Sequence, residues 1–210
     1  MLGNTMRKII TTLTTLSLFV AGCGSRGGMK RSLEHSQAYQ LTESVIGRVN
    51  IPNDSFSYIQ KHIAYVKDPY DEVIQDDWRS LEWTLEHGLG DCDDFSIASA
   101  GMLQDNGYPP KILFLGGNPT GFGAKHTVHL IVDENGEFGS VGLEDEDTKS
   151  IERFSTIDDL IKSWCPGNCF SKYAIIDLSK IEDLDYIHSR ENLWPKIVKP
   201  LLPLKWTYVK

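Results

Sequence analysis

The chain's densest set of reactive side chains lies in Gly88-Leu89-Gly90-Asp91-Cys92-Asp93-Asp94-Phe95. Asp91 is a good helix N-cap, and Phe95, Ala98 and Met102 follow at helical spacing, so Cys92 is predicted in a first helical turn. Unsatisfied backbone N–H groups and the helix dipole favour a thiolate there. The carboxylates of Asp91, Asp93 and Asp94 act in the opposite sense, because negative neighbours raise a thiol pKa. A nucleophilic Cys92 therefore needs a positive partner, and an imidazole within hydrogen-bond reach supplies a general base and an ion pair together. His126 and His129 stand in the run His126-Thr127-Val128-His129-Leu130-Ile131-Val132. Their spacing sends them to opposite faces of a strand: His126 with Val128, Leu130 and Val132, His129 with Thr127 and Ile131. Periodicity leaves both open as the base.

The elements that must position these groups are legible as pattern. Helices are predicted over about 33–49, from an Asn53-Asp54-Ser55 cap through Phe56, Ile59, Ile63 and Val66, over Leu81 to Glu86, and over Asp91 to Leu103. Pro109-Pro110 then forces extended backbone. Strands are predicted over Lys111–Leu115, His126–Val132 and Phe138–Val141, the last two joined by the hairpin signal Asp133-Glu134-Asn135-Gly136. A short helix over Asp158–Trp164 and a strand over Tyr173–Leu178 follow, and the segment with Pro195, Pro200 and Pro203 reads as irregular. Helices first and a mostly antiparallel sheet afterwards make the class α+β.

Trp78-Arg79-Ser80-Leu81-Glu82 through Gly90-Asp91-Cys92-Asp93-Asp94, followed by the His126 run, resembles the nucleophile segment of the bacterial transglutaminase-like cysteine peptidases. Trp78, Glu82, Gly90, Asp91, Cys92, Asp94 and His126 match that pattern in order, over roughly residues 55–145. The resemblance implies a papain-like fold, with the nucleophile helix packed on an antiparallel sheet, and a Cys-His-Asp triad in which the acid holds the imidazole tautomer. It makes His126 the base and places Trp78 beside the site. The family's acid falls on Gly142 here. Glu144, Asp145 and Asp147 follow, and Asp145 is taken as the displaced third member; the competing arrangement is a Cys92–His126 dyad. The implied activity is hydrolysis of peptide or amide bonds in a protein or peptide substrate. The alternative is an inactive envelope-binding protein built on the same fold. No cofactor is called for, although Asp91, Asp93 and Asp94 are the ligand type that Ca²⁺ takes.

The N-terminus reads as a leader. Arg7 and Lys8 precede an uncharged stretch from Ile9 to Val20, too short to span a bilayer, and Val20-Ala21-Gly22-Cys23 resembles the bacterial lipobox. Residues 1–22 are then a signal peptide, Cys23 the lipidated first mature residue, 23–32 a flexible tether and 33–210 the folded domain. The expected location is the bacterial cell envelope, with the membrane as a partner through that lipid. Export implies an oxidising compartment. Cys165 and Cys169 enclose Pro166-Gly167-Asn168, a turn-forming insert, and are the natural disulfide pair. With Cys23 acylated, Cys92 is then left over as a thiol. The formal net charge of -8 excludes nucleic acid as the main partner, since phosphate binding needs a basic surface.

Overall fold

The structure, a computed structural model, describes residues 37–68, 77–117, 125–144, 147–148, 153–165, 169–202 and 204–210. All of them lie within the compact unit His35–Lys210. The expected signal peptide, the tether, Cys23 and Asp145 fall outside the described residues.

Helix α1 (residues 37–46) leads into α2 (Pro52–His62). Pro52 suits a first helical turn, where its missing N–H has no partner to lose. Asp54 accepts the N–H groups of Asn50 and Ile51 at 3.1 and 3.3 Å, so α2 starts earlier than its apolar spacing suggested. It also ends sooner. The chain leaves it at Ile63 for the short strand β1 (Ala64–Tyr65), and Val66 is 48% exposed rather than part of an apolar helix face. Ser80 Oγ caps α3 (Leu81–His87) by accepting from Trp83 N–H at 3.1 Å, and Gly88 closes the helix at φ 64°, a left-handed value that suits glycine. β2 (Leu89–Gly90) pairs in parallel with β1, and α4 (Cys92–Leu103) begins two residues later.

The remaining elements are β3 (Lys111–Gly117), β4 (Lys125–Val132), β5 (Phe138–Val141), β6 (Leu143–Glu144), β7 (Asp147–Thr148), α5 (Ile157–Trp164), β8 (Phe170–Asp177), α6 (Trp194–Ile197) and β9 (Thr207–Tyr208). Five strands form one antiparallel sheet in the order β5-β4-β3-β8-β9. The class is therefore α+β, with α4 packed on an antiparallel sheet. Every residue of α4 from Asp93 to Leu103 is buried, so the helix is central and its predicted one-sided apolar stripe understates its packing. Phe95, Ala98 and Met102 pack with Ile131 and Val141 of the sheet and with Ile59, Leu81 and Leu85 of the helices behind. Ile97 and Ala100 pack with Trp78, Ile112, Phe114 and Ile176. Strand alternation turns Leu113, Leu115, Val128 and Leu130 to the opposite face, where α5 covers them with Leu160, Ile161 and Trp164. The C-terminal stretch is more ordered than its prolines suggested: Leu193, Ile197 and Val198 have no exposed surface.

Candidate active site

Backbone hydrogen bonds fix the approach to Cys92. Ala64 N–H donates to Gly88 O at 2.8 Å and Val66 N–H to Gly90 O at 2.9 Å. Asp91 caps α4, accepting from Asp93 N–H at 3.3 Å, and Asp94 reaches back to Asp91 N–H at 3.2 Å. The other oxygen of Asp94 accepts Arg79 N–H at 2.7 Å, so this carboxylate ties the segment before α3 to the start of α4. Gly90 makes that approach feasible: a Cβ there would lie 2.6 Å from the Cβ of Asp94. Cys92 is half-buried at the first position of α4, in no disulfide, with Sγ 4.0 Å from Asp93 Oδ1.

Two acids beside the thiol, Asp93 and Asp94, are strongly perturbed. Burial, then the charges of Asp94, Asp91 and Cys92, pushes the Asp93 carboxyl well above its usual range. Burial and Asp91 push Asp94 up to about 8 against its two backbone donors. Asp93 Oδ2 is buried with no hydrogen-bond partner among the described residues. One ligand atom each from Asp91, Cys92 and Asp93 can be chosen within 4.8 Å of one another. Two carboxylates, one of them with an oxygen lacking a hydrogen-bond partner among the described residues, are the donor type of a hard cation.

The two histidines separate cleanly. His129 is wholly buried against α4. Ser99 Oγ lies 2.9 Å from its Nδ1, and Pro109 O lies 3.4 Å from its Nε2. A carbonyl only accepts, so Nε2 carries the proton and Nδ1 accepts from Ser99, whose own oxygen accepts from Ser55 at 2.9 Å. Desolvation lowers the His129 pKa to about 4, which keeps the ring neutral. It is a satisfied core histidine. His126 is half-buried on the opposite side of β4, its ring 5.0 Å from that of Trp164 and 6.2 Å from that of Phe170.

Topology brings Cys92 and His126 to one end of the sheet. The C-terminus of α4 turns through residues 104–110 into β3, which is antiparallel to β4 with Lys111 opposite Leu130. The C-terminal ends of α4 and β4 therefore lie together, and so do their N-terminal ends. From Ser99 back to Cys92 is about 10 Å of helix, and from His129 back to His126 is about 10 Å of strand. Since Ser99 and His129 touch, Cys92 and His126 each lie back from that contact towards the same end of the sheet, on opposite faces of β4.

Trp78 does not line a site. It has no exposed surface, and its indole packs edge-on against Phe114 and Trp194 at 6.1 and 5.5 Å, so it is a core residue that anchors the segment before α3. Gly142, at the acid register of the resemblance, has no room for a side chain: a Cβ would meet Val128 Cγ1 at 2.7 Å and Trp164 Cη2 at 3.2 Å. Cys165 and Cys169 are disulfide-bonded, with Cα atoms 5.8 Å apart. The sequence reading missed Trp164 and Phe170 as neighbours of His126. Both stand next to the half-cystines, and Trp164 ends an amphipathic helix, which was the available signal.

No family model matches the chain, and no curated protein does. Among solved structures it is similar to LapG of Legionella pneumophila, at 17% identity and a TM-score of 0.47, over 70% of this chain and 80% of that one. An EGTA-treated LapG gives 16% and 0.45 over 70% and 80%, and a calcium-bound LapG gives 16% and 0.42 over 60% and 80%. At those TM-scores the likeness assigns no family.

Proposed function

We propose that this chain is an exported, lipid-anchored cysteine hydrolase of the transglutaminase-like kind, attached to the cell envelope through Cys23 and acting on peptide or amide bonds with Cys92 as nucleophile. The observation that carries this reading is the common placement of Cys92, in the first turn of α4, and His126 at one end of the sheet. The pair would act across that end, since alternation turns His126 to the α5 side. His126 takes the thiol proton, and the thiolate attacks the carbonyl carbon to form the C–S bond as the C=O electron pair moves to oxygen. The Cys92 N–H at the start of α4 helps to receive that oxyanion, since the Asp93 and Asp94 N–H groups already serve the Asp91 cap. The intermediate collapses, the C–N bond breaks, and the imidazolium gives its proton to the leaving amine. Water, deprotonated by His126, then cleaves the thioester and restores the thiol. In this reading Asp145 steadies the imidazole.

Two further readings rest on specific observations. Gly142 stands at the register expected for the acid, which favours an envelope-binding protein without turnover. The orphaned Asp93 Oδ2 favours a hard cation such as calcium on Asp91 and Asp93, where it would neutralise acids that oppose the thiolate.

Mass-mapped alkylation of the full chain by iodoacetamide near pH 7 tests all three. Cys92 should react faster than glutathione, and His126→Ala should slow it by about 10²-fold, the low end of a positioned base's contribution. A rate equal to that of glutathione would sink the hydrolase. A rate unchanged between added calcium and EGTA would remove the cation.

A further inference from the structure

His126 meets two aromatic rings, and both belong to residues bonded in sequence to the half-cystines: Trp164 precedes Cys165, and Phe170 follows Cys169. Trp164 closes α5, Phe170 opens β8, and the two side chains are 2% and 9% exposed. The indole is pinned twice more. Its Nε1–H donates to Ser140 Oγ at 2.8 Å, and its Cη2 lies 3.2 Å from where a Cβ at Gly142 would stand. Just after β5, the space a side chain at Gly142 would take is thus filled by Val128 and an aromatic edge. The disulfide lies nearer the surface than the rings: Cys165 is half-buried and Cys169 exposed. One covalent bond between Cys165 and Cys169 ties the end of α5 to the start of β8 next to both rings. Aromatic faces at such separations constrain the tilt of a neighbouring ring as well as its location.

We infer that the Cys165–Cys169 disulfide sets the orientation of the His126 ring by holding Trp164 and Phe170 against it, which makes those two aromatics positioning residues for the thiol chemistry. The inference rests on the reading that Cys92 and His126 act together. It adds that the base is oriented by ring packing under a covalent clamp, and that breaking the clamp disables the base while leaving the fold in place. The bond closes only a short loop, so its loss costs the chain less than a long-range cross-link would.

The test compares the full-length protein with Cys165→Ser/Cys169→Ser and with Trp164→Phe. Two readouts are taken: the mass-mapped alkylation rate at Cys92, and the NMR resonance of the His126 ring, which the neighbouring aromatic faces shift by their ring currents. The double serine variant should stay folded, lose the ring-current shift and alkylate about tenfold or more slowly, because misplacing a reacting group by ~1 Å can cost ~10²-fold. Trp164→Phe keeps an aromatic face and should keep most of the rate. An alkylation rate in the double variant equal to that of the wild type overturns the clamp, whatever the resonance does. A wild-type rate no faster than glutathione sinks the hydrolase reading instead. The resonance then judges the clamp alone, and a shift identical in wild type and double variant overturns it.

Discussion

A glycine at the position where a related pattern has an acid invites a reading as a lost catalytic group, and the packing at Gly142 gives it a different cause. Val128 and the indole of Trp164 already occupy the space a side chain would take. Gly142→Ala therefore overpacks the α5 side of the sheet and should cost about 1–3 kcal/mol, read from urea unfolding. A variant as stable as wild type would mean that Trp164 has room to retreat, and that Gly142 is a matter of descent rather than of space. Gly90 serves a different need, since the clash there is with Asp94, whose carboxylate joins Arg79 to Asp91. Both glycines flank the candidate site, and each yields its space to one neighbour.

At the scale of elements, α3 is held by a strap from the C-terminal segment. Leu81 and Glu82 N–H groups donate to Tyr186 O and Ile187 O at 3.0 and 2.7 Å, and Leu193 N–H donates to Trp78 O at 2.7 Å. Glu82, 1% exposed, faces His188 Nδ1 at 3.0 Å and Arg190 at 3.4 Å. Glu82→Gln keeps the shape and removes the charge, so it should cost about 1–3 kcal/mol and speed amide exchange in residues 183–193. Unchanged exchange there would show the backbone bonds alone to be sufficient. Glu82 was visible in sequence as part of the pattern around Cys92, but its partners were not, because His188 and Arg190 reach it across about a hundred residues of chain. The same limit runs through the fold. α4, β4 and β5 were legible because capping and alternation are local, and the Cys165–Cys169 pair because its turn is local. The early start of α2, the burial of Trp78, strand β9 and the rings at His126 depend on contacts that no window of sequence contains. Of the site, the residue types at Cys92 and His126 were legible, while the neighbours that orient them were not.

For the molecule as a whole, the buried chain from Ser55 through Ser99 and His129 to Pro109 links α2, α4, β4 and the turn before β3, so the protonation of one ring bears on global stability. Protonated His129 would lose its acceptor role towards Ser99 and place a charge in the core, which is why burial lowers its pKa from 6.5 to about 4. The unfolded chain therefore binds this proton more readily than the folded one between those values. Above about pH 6.5 both states carry a neutral ring and the contribution to stability is full. It falls as pH drops through the window and levels off below about pH 4. The loss amounts to about 3 kcal/mol for a shift of this size. Other carboxyls titrate over the same range, so the measurement is a difference: urea-unfolding free energies of wild type minus those of His129→Gln, whose amide can still accept from Ser99 and donate to Pro109. That difference should be level above about pH 6.5 and slope downwards towards pH 4. A difference that stays level throughout would mean that the folded protein accommodates a charged ring at the centre of its sheet, against the dry Ser99 and Pro109 contacts on which the neutral tautomer depends.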